Sequence, residues 1–213
     1  MKYKLIIFDL DGTLADTSFG ILNCHKYANS AMNNPITDDK LVGIIGGPLL
    51  QNYKNHFGYS DKDAERAVSI YRKRYEEIGF KEATLYKDMD VTLGELKARG
   101  YKLAVATLKA EKFAVPMLEL LGVAKYFDLI HGVDDKDTRT KSTLINMCIE
   151  ELSETKETSI LIGDSYHDAV GARESGIDFV AALYGFGFKS DEDMHSFSNI
   201  ATVITPKDLL KIF

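Results

Sequence analysis

Apolar residues along the chain gather into short continuous runs, separated by stretches of helical periodicity. Four runs have strand length: Tyr3–Phe8, Lys102–Thr107, Thr158–Gly163 and Phe179–Leu183. Phe127–His131 is a weaker run, and Thr202–Ile204 fits a last edge strand. Ile, Val and Leu dominate them with little alternation, the pattern of parallel strands covered on both faces. Helical patterns fill the gaps over Val91–Arg99, Glu111–Leu121, Lys141–Leu152 and His167–Ser175. Gly100, Gly122 and Gly176 stand just beyond three of these and read as helix stops. Strand and helix in this alternation predict an α/β fold, a doubly wound parallel sheet.

The span from Thr17 to about Gly79 breaks that rhythm. It holds helical patterns over Phe19–Met32 and Asp61–Ile78, with no buried strand between them. This predicts a small all-helical cap domain, residues 16–82, inserted into a core of residues 1–15 and 83–213. The connections are Ala15–Ser18 and Gly79–Tyr86, with hinges expected near Asp16–Thr17 and Glu82–Leu85. Tyr71, Tyr75 and Phe80 recur at helical spacing and are expected in the cap core. The loop Gly43–Pro48 turns between helices, and its Gly46 and Gly47 are candidates for lining a substrate entrance.

Composition narrows the function classes. With 45% hydrophobic and 27% charged residues, the chain can bury an ordinary globular core. A net charge of −6 and a pI near 5.4 exclude a broad nucleic-acid or anionic-membrane surface, which needs a basic patch. Any phosphate must therefore be held locally, with a metal's help. Cys24 and Cys148 are the only cysteines, too few for a disulfide framework and suited to a reducing compartment. The first apolar run meets Asp9 too soon for a signal peptide. No stretch approaches the roughly 20 apolar residues of a membrane span. A cytoplasmic protein, monomer or homodimer, is the expectation.

The chemistry lies where the strands end, because ligands of doubly wound sheets bind beyond the carboxyl ends of the strands. The first strand delivers Asp9 and Asp11, whose period of two lets both side chains project to the same side. The second delivers Thr107-Leu108-Lys109, and the fourth delivers Asp164 and Asp168, four apart at a helix start. Lys141 opens the helix after the third strand, although Arg139 and Lys136 compete for its role. Clustered carboxylates repel unless a cation sits among them, and oxygen-only ligands suit Mg²⁺. Gly12 lets the backbone approach closely enough to offer N–H groups to a phosphate, with Thr107 and Lys141 adding a hydroxyl and a charge. In such a site Asp9 is placed to attack phosphorus, and Asp11 to protonate the leaving oxygen and then activate water. The five histidines show no metal-like spacing.

Asp9-Leu10-Asp11-Gly12-Thr13-Leu14, Thr107, Lys141 and Gly163-Asp164 with Asp168 resemble, in order and over the whole chain, the four signatures of the haloacid dehalogenase-like phosphatase superfamily. Leu85-Tyr86 and Tyr184-Gly185-Phe186-Gly187 are finer similarities. The helical cap after the first strand resembles the subgroup with phosphoglycolate phosphatases, sugar phosphatases and 5′-nucleotidase-like members. The resemblance implies a Rossmann-like core and hydrolysis of a small phosphorylated metabolite through an aspartyl-phosphate. It implies Asp9 as nucleophile, Asp11 as acid/base, and Gly12, Thr107, Leu108 (through its N–H) and Lys141 as phosphate-binding. It further implies Mg²⁺ on Asp9, the Asp11 carbonyl and Asp164, with Asp168 supporting the metal or Lys141. Lys109 is a candidate substrate contact, and the cap is expected to close over the strand ends. Leu108 departs from the Ser or Asn frequent at its position. Sugar phosphomutases of this group carry a His where Ile21 stands, which disfavours a mutase; a non-catalytic phosphate or metal sensor is the other alternative.

Overall fold

A computed structural model describes residues 2–41, 43–45, 49–134, 138–194 and 197–213. Gly46, Gly47 and Lys136 therefore lie outside the described residues. The chain forms two units, Met1–Asp16 with Thr84–Phe213, and Thr17–Ala83.

The first unit carries the strands β1 (Leu5–Phe8), β2 (Ala15–Asp16), β3 (Thr84–Leu85), β4 (Lys102–Ala110), β5 (Leu129–Val133), β6 (Ser159–Gly163), β7 (Asp178–Ala182) and β8 (Ala201–Val203). Six of them form a parallel sheet in the order β5-β4-β1-β6-β7-β8. Leu5, Ile6, Ile7 and Phe8 are all fully buried, as continuous apolar strands under helices on both faces require. Each such side chain contributes about 1.5–3 kcal/mol of burial. Leu5, Ile7, Ala104, Ala106 and Leu161 pack with Leu144, Ile145 and Cys148 of the helix Lys141–Glu151 and with Ala169 and Ala172 of the helix Tyr166–Ser175. The alternate positions Ile6 and Phe8 face the other way, where Phe8 meets Phe127 edge to face at 6.1 Å.

The strand order places the site. From β1 the chain moves outward to β4 and β5, then returns to β6 on the other side of β1 and continues to β7 and β8. The direction of winding therefore reverses between β1 and β6, and a crevice opens there beyond the strand ends. Phe8 pairs with Ile162, so the next residues out, Asp9 and Gly163-Asp164, flank that crevice.

Two local features differ from the sequence reading. The helix expected from Val91 starts at Met89, after Asp88 in the left-handed region at φ 65°, whose carbonyl accepts from the Thr92 hydroxyl at 2.9 Å. The strand-like pairing of Ala15–Asp16 with Leu85–Thr84 is only two residues long, too short for periodicity to reveal.

Among its described residues the second unit carries helices joined by turns, and no β-strand. Its main helices, Ser18–Ala31 and Asp61–Glu77, bury Cys24 and Ala28 on one and Ala64, Ala67 and Tyr71 on the other. Ser60 caps the second helix by accepting from the Asp63 N–H at 3.2 Å. A Cβ on Gly20 would strike the Gly79 carbonyl, so glycine permits the close approach there. Arg74 grips Glu82 through two hydrogen bonds of 2.9 and 3.1 Å, and the same guanidinium reaches Cys24 Sγ at 3.1 Å. His25 is buried among the rings of Tyr71, Tyr53 and Phe57, at 4.7, 5.4 and 5.8 Å. No helix of the described residues is long and apolar enough to cross a membrane.

Candidate active site

After Phe8 the chain cannot continue as a strand. Leu10 O accepts from the N–H groups of Thr13, Leu14 and Ala15, and Gly12 takes φ +83°, winding Asp9–Ala15 into a tight loop. Asp9 stays tied to the sheet through its N–H, which donates to Ile162 O at 2.9 Å. A Cβ on Gly12 would fall on the Asp164 carboxylate, so this position needs glycine for both its conformation and its space.

Lys141 is delivered at the first position of its helix, which Thr140 caps by accepting from the Thr143 N–H. Its side chain is only 6% exposed, and Nζ lies 2.5 Å from Asp9 Oδ1 and 2.6 Å from Asp168 Oδ1. Asp168 is fixed from its other oxygen, Oδ2, which accepts from Ser165 N at 3.0 Å and Ser165 Oγ at 2.6 Å. This is a capping box doing two jobs, since it starts the helix Tyr166–Ser175 and aims a carboxylate at Lys141. Gly171, one turn on, leaves the space that the Lys141 stem occupies.

Asp164 stands opposite. Its Oδ2 accepts from Phe186 N at 2.6 Å and Gly187 N at 3.0 Å, and its Oδ1 faces the Thr13 hydroxyl at 3.3 Å. Asp11 sits outside this buried group, with Lys109 Nζ 3.0 Å from Oδ1. Lys109, expected as a substrate contact, thus spends its charge on Asp11, and its side chain is 7% exposed. Thr107 is fully buried within β4, which runs on to Ala110 past a register shift after Ala106 instead of stopping at Thr107 as expected; its hydroxyl accepts from Lys109 N at 3.2 Å, while Leu108 is exposed. Arg139, the competitor of Lys141, is held instead by Glu111 and the Gly132 carbonyl. His167 points to solvent.

Electrostatics follow from burial. Desolvation pushes Asp9 up to about 7; Lys141 opposes this, while Asp168, Asp11 and Asp164 add to it. Desolvation also lifts Asp164 to about 6, helped by Asp168 and resisted by the Gly187 and Phe186 N–H groups. Burial alone would lower Lys141, but Asp168 and Asp9 outweigh it and hold the ammonium above its ordinary value. The site thus gathers more negative charge than one lysine balances.

One oxygen from each of Asp9, Asp164 and Asp168 lies within 4.8 Å of the others, all three residues being buried. An all-oxygen, anionic, desolvated set of this kind fits a hard dication such as Mg²⁺. Asp168 gives both oxygens to close partners, Lys141 at 2.6 Å and Ser165 at 2.6 and 3.0 Å, whereas Asp164 Oδ1 has only the longer 3.3 Å contact to the Thr13 hydroxyl among the described residues, so Asp9 and Asp164 are the carboxylates that could hold such an ion. The sequence reading named Thr13 only as part of the Asp9–Leu14 signature, and had no role for Ser165 or Gly171. Of the last two, only Ser165 carried a signal, the Ser165-x-x-Asp168 spacing of a capping box.

A model of the family described as haloacid dehalogenase-like hydrolase matches residues 6–182. The phosphoglycolate phosphatase of Aquifex aeolicus is 31% identical over 211 residues, covering 98% of this chain and 96% of that protein. The tyrosine-protein kinase PtkA of Mycobacterium tuberculosis is 32% identical over 185 residues; the match covers 86% of this chain but 63% of the kinase, so the chain spans under two thirds of that relative's length. A haloacid dehalogenase-like family hydrolase from Streptococcus pneumoniae superposes with a TM-score of 0.90 at 32% identity, covering 100% of this chain and 99% of that one.

Proposed function

This chain belongs to the haloacid dehalogenase-like hydrolase family, and we propose that it is a Mg²⁺-dependent phosphatase that hydrolyses a small phosphate monoester through an aspartyl-phosphate on Asp9. The observation that carries this reading is the buried set Asp9–Lys141–Asp168 facing Asp164 at the point where the sheet reverses its winding.

In this reading Lys141 takes Oδ1 of Asp9, which orients Oδ2 as the attacking oxygen. Attack forms the Asp9 Oδ2–phosphorus bond and breaks the bond from phosphorus to the ester oxygen. Asp11 gives its proton to that leaving oxygen. Asp11, now a carboxylate, takes a proton from a water that attacks the same phosphorus, which frees Asp9 and releases inorganic phosphate. Thr107, Lys141 and the Leu108 N–H hold the phosphoryl oxygens; the Gly12 N–H, expected to join them, is instead given to Ala15 O at 2.9 Å, and those of Thr13, Leu14 and Ala15 to Leu10 O, as the tight turn requires. Asp9, Asp164 and the Asp11 carbonyl would hold Mg²⁺, which would offset the negative charge of the transferring group. Lys109, whose main-chain N–H donates to the Thr107 hydroxyl, reaches Asp11 with its ammonium and so steadies the acid/base.

Phosphoglycolate leads the substrates we propose, supported by the relative from Aquifex aeolicus at near-full coverage; nucleoside monophosphates and sugar phosphates follow. The test is phosphate release from such a panel, with Mg²⁺ and with chelator, beside the Asp9→Asn variant. Metal-dependent release that the variant loses supports the reading, and the best ester names the substrate. A folded protein that releases nothing, or an Asp9→Asn variant as active as the native chain, sinks it. Isomerised sugar phosphate in place of free phosphate points to a mutase instead.

A further inference from the structure

The segment Tyr184-Gly185-Phe186-Gly187-Phe188 leaves β7 and wraps one residue of the site. Phe186 N and Gly187 N donate to Asp164 Oδ2, and Phe188 N donates to the Asp164 main-chain carbonyl at 2.8 Å. Three consecutive N–H groups thus serve a single aspartate. The approach is so close that side chains are excluded. A Cβ on Gly185 would overlap the Asp164 side chain and the Gly12 carbonyl, and one on Gly187 would overlap the Asp164 carbonyl. The Tyr184 hydroxyl, whose proton burial retains, donates to Thr13 O at 3.0 Å, and its ring meets Tyr86 at 4.8 Å. The segment therefore touches both the Asp164 loop and the Gly12–Thr13 loop. Its outer end is anchored by Lys189, whose Nζ donates to Gly185 O and whose N–H donates to Asp193 Oδ2 at 2.7 Å.

We infer that Tyr184–Phe188 is a positioning element for the metal ligand Asp164, and that Gly185 is the residue on which it turns. Two backbone donors occupy Oδ2 and fix the carboxylate plane, leaving Oδ1 toward Thr13 and the Asp9–Gly12 loop. An aspartate held this way cannot rotate away when the site is empty, so binding a cation costs no reorientation. The inference rests on the metal reading above. Partners that orient a ligand change metal affinity by about 10–100-fold when lost.

The test is Mn²⁺ binding to the full chain without substrate, read from the free-ion electron spin resonance signal. It uses the native chain, Asp164→Asn, Gly185→Ala and Lys189→Met, with folding of each checked by circular dichroism in chelator. Native binding that Asp164→Asn abolishes and folded Gly185→Ala weakens at least about tenfold supports the inference. Native affinity in folded Gly185→Ala overturns it and leaves the metal reading intact. Where Gly185→Ala does not fold, Lys189→Met decides, because it frees Gly185 O without placing atoms in the site. At least threefold weaker Mn²⁺ supports the inference, and unchanged affinity overturns it. Equal Mn²⁺ binding by the native chain and Asp164→Asn, or none by either, overturns the metal reading and the positioning role together.

Discussion

Replacing Lys141 by Met should destabilise this protein severely, and Asp168 should decide how severely. The ammonium is buried and bridges two carboxylates at 2.5 and 2.6 Å. At an effective dielectric of 20, unit charges 2.6 Å apart attract by roughly 6 kcal/mol. Desolvation offsets much of that while the pair is intact, but removing one partner strands the other, at a cost of about 3–5 kcal/mol. Lys141→Met should lose that much in urea unfolding at neutral pH with chelator present. Asp168→Asn should cost less, about 2–3 kcal/mol, because the amide retains part of its bonding to Ser165. In the double variant the stranded Asp168 charge is gone, so the losses should fall short of their sum by about 2 kcal/mol. A cycle that closes additively to within about 0.5 kcal/mol would refute the view that Lys141 and Asp168 act as one buried unit.

Other consequences are as direct. His25 titrates near 4 instead of 6.5, chiefly because it is buried and secondarily because His56 is near, and its two ring nitrogens have no hydrogen-bond partner among the described residues. A folded value below the unfolded one means its stabilisation is full above pH 6.5 and is lost as pH falls toward 4. The loss should reach about 2 kcal/mol at pH 5, measured as the difference between native and His25→Phe urea curves; parallel pH profiles would refute it. Burial pushes the Cys148 thiol up to about 12 and lifts Cys24 as well. A thiol reagent at pH 8 should therefore label neither until urea opens the fold, and fast native labelling would contradict the packing. Gly12→Ala should cost about 1–3 kcal/mol in backbone strain alone, with activity falling as its methyl displaces Asp164; thermal unfolding and phosphate release would check both.

Some of this was legible in the sequence because it is local. Unalternating runs such as Leu5–Phe8 declare a strand buried on both faces, and Asp9 directly after one declares where that strand must end. The order in which the acids and Lys141 fall at strand and helix ends followed from the same runs. What was not legible depends on which distant groups meet. Lys109 is one residue past an exposed leucine, and nothing in that neighbourhood says that its ammonium turns to Asp11. Nothing in the sequence says that Tyr53, Phe57 and Tyr71 close around His25, an arrangement fixed by how the helical unit packs. Gly171 carries no signal in the sequence, but its missing side chain is the volume that Lys141 fills. The role of Gly185 depends on a carboxylate 21 residues earlier, a distance no local periodicity spans.

In the proposed mechanism Asp9 becomes phosphorylated at every turnover. The most direct measurement is to quench the native chain in acid during hydrolysis of its best ester, reduce it with borohydride, and sequence the peptides by mass spectrometry. An acyl phosphate on Asp9 predicts homoserine at that position, in the native chain only when ester is present and never in Asp9→Asn. Turnover with Asp9 unmodified, or with phosphate found on another side chain, would contradict the account.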